Sequence, residues 1–197
     1  LTLRAVNYKL SALDKKACKT PNIIPLSQWI VDTFNELRMQ NLKPFNQFAI
    51  LDEAHHAGYW FKEMHDEDIE QPSRFIADVV TADKVMSRWQ QQSFCPTTKL
   101  EQNFLLWRGN VHKKIKNMGF VTRTQALEML IEAIYGGVLI LPKTVALFAF
   151  DERPPLFEAL FDAIASVTAL KEVNPIREGS KWLKVAASNP QEQMVLA

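Results

Sequence analysis

The sequence changes character at Gly136-Gly137, and this change constrains the fold more than any other feature. Before it, from about residue 41, apolar residues recur at helical spacing. After it come two near-continuous apolar runs with β-branched residues, Val138–Leu141 and Thr144–Phe150. Such runs are typical of strands that are buried on both faces of a parallel sheet. The pattern therefore predicts an α/β protein.

The predicted fold is a discontinuous, mostly parallel sheet with flanking helices, interrupted by a helical insertion. Residues 1–40 hold the first part of this α/β core, with Leu1–Val6 as its first strand. Residues 41–137 form the insertion, and residues 138–197 form the second part of the core. An α/β core with a helical insertion is the simplest layered arrangement that fits these patterns. Both ends of the chain are typical of cuts through a longer protein.

Local signals place the helices of the insertion. Thr98–Glu101 and Thr122–Gln125 are capping boxes, in which the Thr hydroxyl and the Glu or Gln side chain satisfy backbone N–H groups at a helix start. The apolar spacing also predicts a helix from Asn46 to about Met64 and another over Ser73–Gln92. The second of these is expected to break where Thr81 caps a new piece.

The composition limits the classes of function. Of 197 residues, 47% are apolar and 23% are charged, which is the balance of a globular protein. The formal net charge of +1 lacks the strong positive charge of a domain that holds duplex DNA. Because no apolar run reaches the roughly 18 residues of a membrane span, no membrane partner is expected. The chain has two cysteines, too few for a disulfide framework, and no visible secretory signal, so we expect a cytoplasmic protein.

One segment is similar to the Walker B element of DEAH-box helicases. It runs from Phe48 to His56 and contains Asp-Glu-Ala-His after an apolar stretch. That stretch is short, its apolar residues fall at helical spacing, and no Gly-x-x-x-x-Gly-Lys-Ser/Thr phosphate loop occurs in the chain. We therefore interpret the segment as an amphipathic helix with Asp52, Glu53 and His56 in solvent.

The histidines do not form a recognisable metal-binding motif. His55 and His65 lack the i, i+4 spacing of a zinc-binding helix, and no third ligand is marked out near them. His112 stands between Val111 and two lysines, which predicts a surface position. The sequence therefore predicts no metal site.

Two acidic residues follow the longest apolar run. Asp151 and Glu152 stand at the predicted carboxyl end of that strand, where ligands bind in open α/β sheets. In a nucleotide-hydrolysing protein, such a pair would hold Mg²⁺ and orient water. The alternative is a polar turn, with Glu152 near the positive N-terminus of a helix that begins at Pro154-Pro155. A further strand is predicted within residues 166–173.

A polar turn near the start of the chain suits a nucleic acid. Asn7, Tyr8 and Lys9 stand between the first predicted strand and the first helix. An amide, an aromatic ring and an amine at a helix N-terminus can hold a phosphodiester or stack a base. Packing of Tyr8 and helix capping by Ser27 are the structural alternatives for these residues.

The order of several motifs resembles one known family. Val-Asn-Tyr-Lys-Leu-Ser-Ala-Leu at 6–13, followed by 20–30, resembles the opening of the AddB-like probable DNA repair proteins, also called RecB-family exonucleases. The segment Ala146–Pro155 resembles the family's strand ending in Gly-Phe-Asp-Glu-x-x-Pro, and 178–197 resembles its next block. Tyr8 and Lys9 stand where the family has arginines, and Ala149 where it has Gly. The resemblance is thin between about 40 and 100.

The resemblance implies a role in DNA repair. Such proteins are similar to UvrD-like helicases in their N-terminal half and carry a nuclease domain at the far C-terminus. Residues 41–137 would match the helical 1B subdomain of these helicases. The site residues that the resemblance implies are a Walker-B-like vestige at Asp151 and Glu152, and contacts to single-stranded DNA from Asn7, Tyr8, Lys9, Ser27 and Gln28.

The resemblance further implies a piece without its own catalytic centre. It would be a non-hydrolysing scaffold that binds single-stranded DNA or DNA ends, a UvrD-like partner motor, or both. No cofactor is expected in this piece, whereas Mg²⁺ and ATP could serve the parent complex. Two alternatives stay open: a truncated active ATPase whose phosphate loop precedes Leu1, and an interaction domain with no DNA role.

Overall fold

Both predicted capping boxes begin helices in the computed structural model, which describes residues 23–67, 69, 71–90, 94–148, 150 and 152–173. Thr98 and Thr122 each accept the backbone N–H three residues ahead at 3.2 Å through their hydroxyls. Glu101 and Gln125 accept the N–H of the capping residue at 2.9 Å. These two helix starts are therefore confirmed.

The described residues form six α-helices, four short strands and two single-turn 3₁₀ helices. The 3₁₀ turns are Phe45–Gln47 and Pro72–Arg74. The strands are β1 (Ala49–Ile50), β2 (Phe120–Val121), β3 (Thr144–Phe148) and β4 (Ala169–Val173). The helices are α1 (Leu26–Met39), α2 (Glu53–Asp66), α3 (Ile76–Arg88), α4 (Lys99–Asn117), α5 (Arg123–Tyr135) and α6 (Pro155–Val167). None of the described helices has the length and apolarity that crossing a membrane requires.

The predicted fold class, a mostly parallel α/β sheet, is wrong. Helices dominate the described residues, and the strands form two separate two-stranded parallel sheets, β1 with β2 and β3 with β4. Side chains along β3 alternate between exposed and half-buried, so this strand is not covered on both faces. Its half-buried members Val145 and Leu147 pack against the core that includes α6. The predicted strand Leu1–Val6 lies outside the described residues.

The apolar run Val138–Leu141 is not a strand, although it was predicted to be one. The backbone N–H groups of Val138 and Leu139 both donate to the carbonyl of Ala133, at 2.9 and 3.0 Å. The chain therefore folds back over the end of α5, and Leu139 and Leu141 pack against the core there. Leu139 and Leu141 are half-buried, whereas Val138 and Ile140 are exposed, so packing on the core accounts for only part of the apolar character of this run.

Within the part of the chain that the structure describes, the buried side chains form two clusters. The first joins α1, α5 and α6, and the second joins α2, α3 and α4 around Trp60 and Trp107. The β1–β2 pair lies between them, and Ala49 N–H extends the pairing by donating to Gly119 at 2.9 Å. Gly119 has a φ of +76°, which favours glycine, so it forms the tight turn from α4 into β2.

Two predicted helices differ from those observed. The segment predicted as one helix from Asn46 contains a 3₁₀ turn and β1, and α2 begins only after Asp52, whose carboxylate accepts the His55 N–H at 2.9 Å. The predicted break at Thr81 is also wrong, because α3 continues through it. The Thr81 hydroxyl donates back to the carbonyl of Ala77 at 2.7 Å and caps no helix.

Candidate functional site

A cavity of about 380 Å³ opens between the helices of the first core cluster and those of the second. We call this cavity the groove. The first turns of α1, α5 and α6 reach it, together with the start of α2 and one face of α3. Its apolar floor includes Ile30, Leu127 and Leu156, which belong to the first core cluster. The groove is therefore built on packed helices.

Three cationic side chains line the groove: Lys84 and Arg88 on α3, and Arg123 on α5. Glu53 accepts a hydrogen bond from Lys84 at 3.0 Å, and its carboxylate lies 3.6 Å from Arg123. The hydrogen bond from Lys84, with smaller Coulombic contributions from both cations, lowers the pKa of Glu53. The other acidic residue of the lining, Asp83, is paired with Arg108 at 2.7 Å. Among the described residues, the lining therefore has more positive than negative charge.

Aromatic rings lie beside these cations. Phe150 and Phe157 line the groove with their ring centroids 6.5 Å apart, in an edge-to-face arrangement. The guanidinium carbon of Arg88 lies 5.9 Å from the ring centroid of Phe157, at cation–π distance. Both rings are half-buried. The groove thus combines ring surface and positive charge within one cavity.

Of the predicted DNA-contacting residues, Ser27 lines the groove and is exposed in the first turn of α1. Gln28, its neighbour, is exposed but donates to Asp32 at 2.7 Å and is absent from the groove lining. Asn7, Tyr8 and Lys9 lie outside the described residues. The predicted DNA contacts stay predictions, and Ser27 is the one that the structure brings to this cavity.

The Walker-B-like pair is only half described. Asp151 lies outside the described residues, whereas Glu152 is exposed in the segment between β3 and α6. Pro154 and Pro155 then begin α6, with Pro154 as the capping residue. The role of this pair stays a prediction.

A second polar feature adjoins the groove, centred on the buried carboxylate of Asp83, and we call it the Asp83 cluster. Arg108 Nε donates to Oδ1 of Asp83 at 2.7 Å, and His112 Nε2 lies 3.0 Å from the same oxygen. His56 Nε2 lies 3.4 Å from Oδ2. Ser87 donates to Oδ1 at 3.4 Å and accepts from Arg108 at 2.8 Å. The cluster therefore links α2, α3 and α4.

The pKa of Asp83 lies well below its ordinary value. Burial opposes ionisation of this carboxyl, but His112, His56 and Arg108 around it together favour the charged form more strongly. The carboxylate is therefore ionised at neutral pH.

Two sequence interpretations of the histidines are wrong. His56 was expected in solvent but is 6% exposed, because α2 turns it toward Asp83. His112 was expected at the surface but is half-buried against the same carboxylate. Asp52 and Glu53 are exposed, as predicted. A signal for the cluster was present in the sequence: Asp83 follows Val79 and Val80 at helical spacing, on the apolar stripe of α3.

A further buried carboxylate reinforces the packing of α2 against α4. Glu63 accepts from Asn110 at 2.8 Å and from Lys114 at 2.5 Å. The hydrogen bond between Lys114 and Glu63 is the main reason that the pKa of Lys114 is raised. Both buried carboxylates of the second core cluster therefore have partners on α4.

Comparisons of this chain with protein-family models, with curated proteins and with solved structures find no match.

Proposed function

We propose that this chain is a non-catalytic part of a DNA-repair helicase–nuclease subunit and that it binds single-stranded DNA in the groove, beside a UvrD-like partner motor. The observation that supports the proposal is the combination of three cations with two phenylalanine rings in the groove. Single-strand binding proteins use these two chemistries, with cations along the backbone and rings under the bases. The motif order in the sequence supplies the link to repair.

The size of the groove favours a single strand. Its volume of about 380 Å³ lies in the range of pockets that hold small ligands. One or two nucleotides fit such a space, whereas a duplex needs a broad surface with many phosphate contacts. The groove therefore favours the end or an unpaired stretch of a strand.

The positions of the charges suggest how a strand would lie. The guanidinium of Arg88 lies over the ring of Phe157, so this pair would contact a base and its adjoining phosphate together. Lys84 and Arg123 are held by Glu53, so less side-chain entropy is lost when they bind a phosphate. Ser27 adds a hydroxyl donor from α1. Each role is sequence-independent, so we expect little base preference.

Titration of a fluorescent oligothymidine at several salt concentrations tests the proposal. Arg123→Ala should weaken binding at low salt and reduce the slope of log K against log salt by about 0.7, which is the loss of one phosphate contact on a single strand. Arg38→Ala is the matched control, because Arg38 is exposed near the other end of α1, about 16 Å along the axis from Ser27.

Three outcomes are informative. Loss of affinity in Arg123→Ala but not in Arg38→Ala would support the groove as the binding site. Equal affinity and slope in both variants, at matched stability, would remove the groove from DNA binding. No binding by the unmodified chain would favour an interaction domain with no DNA role.

A further inference from the structure

The Asp83 cluster brings together the side chains that a transition metal prefers. One ring nitrogen of His56, one ring nitrogen of His112 and a carboxylate oxygen of Asp83 all lie within 4.8 Å of one another. Each residue comes from a different helix of the second core cluster. Imidazole nitrogen together with carboxylate oxygen suits Zn²⁺ and its neighbours, whereas Mg²⁺ and Ca²⁺ favour sites built from oxygen alone.

One carboxylate oxygen is available for a metal. Oδ1 of Asp83 already accepts from Arg108 at 2.7 Å and from Ser87 at 3.4 Å. Oδ2 lies 3.1 Å from His112 Nε2, which is also 3.0 Å from Oδ1, and 3.4 Å from His56 Nε2. Tetrahedral Zn²⁺ with bonds of about 2.0 Å holds its ligand atoms roughly 3.3 Å apart. The spacing around Oδ2 therefore fits that geometry.

The hydrogen bond from Trp60 defines the state of His56. The indole N–H of Trp60 donates to Nε2 of His56 at 3.2 Å, so that nitrogen carries a lone pair. The same nitrogen lies 3.4 Å from Oδ2 of Asp83, an oxygen that also offers lone pairs. A cation between these two atoms would contact both. A bound metal would take the lone pair that Trp60 now occupies.

We propose that His56, Asp83 and His112 bind a divalent transition-metal ion, with Zn²⁺ as the best match. Arg108 would orient the ligating carboxylate through its other oxygen, as outer hydrogen-bond partners do in metal sites. His56 and Asp83 border the groove, so a fourth ligand position would be reached from that side. The ion would tie α2, α3 and α4 together. The proposal of a metal site does not rest on the proposal of DNA binding.

Zinc-dependent stability provides the first test. An ion that binds only the folded chain raises its melting temperature, by roughly 5 °C or more at a hundredfold excess over Kd. The chain, freed of metal by a chelator, should show this rise with Zn²⁺. His112→Ala and Asp83→Asn should lose most of the increment. Each variant is compared with itself with and without Zn²⁺, so a general loss of stability does not affect the result.

Controls separate this site from adventitious binding. His55 and Asp52 form an exposed pair on α2, and His65 is also exposed. His55→Ala and His65→Ala should keep the zinc increment. Trp60→Phe removes the competing N–H and should bind Zn²⁺ at least as tightly as the unmodified chain. If Asp83→Asn fails to fold, the half-buried His112 supplies the test.

Co²⁺ gives a spectroscopic readout that a hydrogen-bonded cluster would not produce. Nitrogen and oxygen ligands should give visible d–d bands without a thiolate charge-transfer band, and His112→Ala should abolish them. No zinc increment in the unmodified chain would overturn the proposal. So would an increment that survives in His112→Ala, or one that disappears in His55→Ala, which would indicate a surface site only.

Discussion

Nε of Arg108 on α4 donates to Oδ1 of Asp83 on α3 at 2.7 Å, and this bond crosses the second core cluster. The Asp83 side chain is 3% exposed and that of Arg108 is 26% exposed. The pair therefore holds an ionised group in a place where water cannot solvate it. Removing either partner leaves the other in an unfavourable environment.

Arg108→Ala should strongly destabilise the fold, because it leaves the buried Asp83 carboxylate without its cation. We expect the free energy of unfolding in urea to fall by about 3 kcal/mol, the usual cost of breaking a buried ion pair. Arg153→Ala is the control, since Arg153 pairs with Glu172 at the surface and such pairs contribute about 1 kcal/mol or less. Similar losses in the two variants would contradict the buried role of Asp83.

The two capping boxes should respond differently to acid. Backbone N–H groups of Thr98 and Thr97 lower the pKa of Glu101, whereas Gln125 in the second box does not titrate. A carboxyl with a lowered pKa in the folded state stabilises the fold above its unfolded pKa, and this contribution is lost as the pH falls. Acidification from pH 5 to pH 3 should therefore weaken the α4 cap and spare the α5 cap.

Amide NMR on the folded chain measures this difference. The chemical shift of the Thr98 N–H should change with protonation of Glu101, while that of the Thr122 N–H should stay nearly constant. In Glu101→Gln, the Thr98 amide should lose its acid response. A Thr98 shift that titrates unchanged in Glu101→Gln would show that another group causes the effect.

The two capping boxes predicted their helix starts correctly, whereas tertiary contacts explain what was missed elsewhere. The capping boxes at Thr98 and Thr122 involve residues three apart, so the sequence contains the whole interaction. The run Val138–Leu141 looked like a strand because a short apolar segment does not indicate whether it pairs in a sheet or packs against a helix. In the structure it folds back over the end of α5.

The candidate sites depended even more on long-range contacts. Asp83 and Arg108 are 25 positions apart, and no spacing rule connects them. His56 looked solvated because the apolar residues of its segment define another helix face, and His112 looked solvated because two lysines follow it. The groove gathers its cations from α3 and α5, so no local basic cluster marked it. Among the described residues that line it, Ser27 is the one predicted to contact DNA.

The position of a threonine relative to its helix should determine how replacing it with alanine changes the free energy of unfolding. Thr122→Ala removes the side chain that caps α5 and should cost about 1 kcal/mol of unfolding free energy. Thr81→Ala removes a hydroxyl that bonds back to Ala77 inside α3. Because Ala has the higher helix propensity, this change should be neutral or slightly stabilising. Urea unfolding of both variants checks the contrast, and a larger loss for Thr81→Ala would contradict it.

The contributions of ring stacking and of charge to DNA binding in the groove should differ in their dependence on salt concentration. Phe157→Leu keeps an apolar side chain but removes the ring, so affinity for oligothymidine should fall about fivefold while the salt slope is unchanged. Lys84→Ala removes a phosphate contact, so both affinity and slope should fall, the slope by about 0.7. Anisotropy titrations of the two variants at four salt concentrations give both quantities. A reduced slope in Phe157→Leu, at matched stability, would mean that the ring only positions Arg88, whose guanidinium lies 5.9 Å from it.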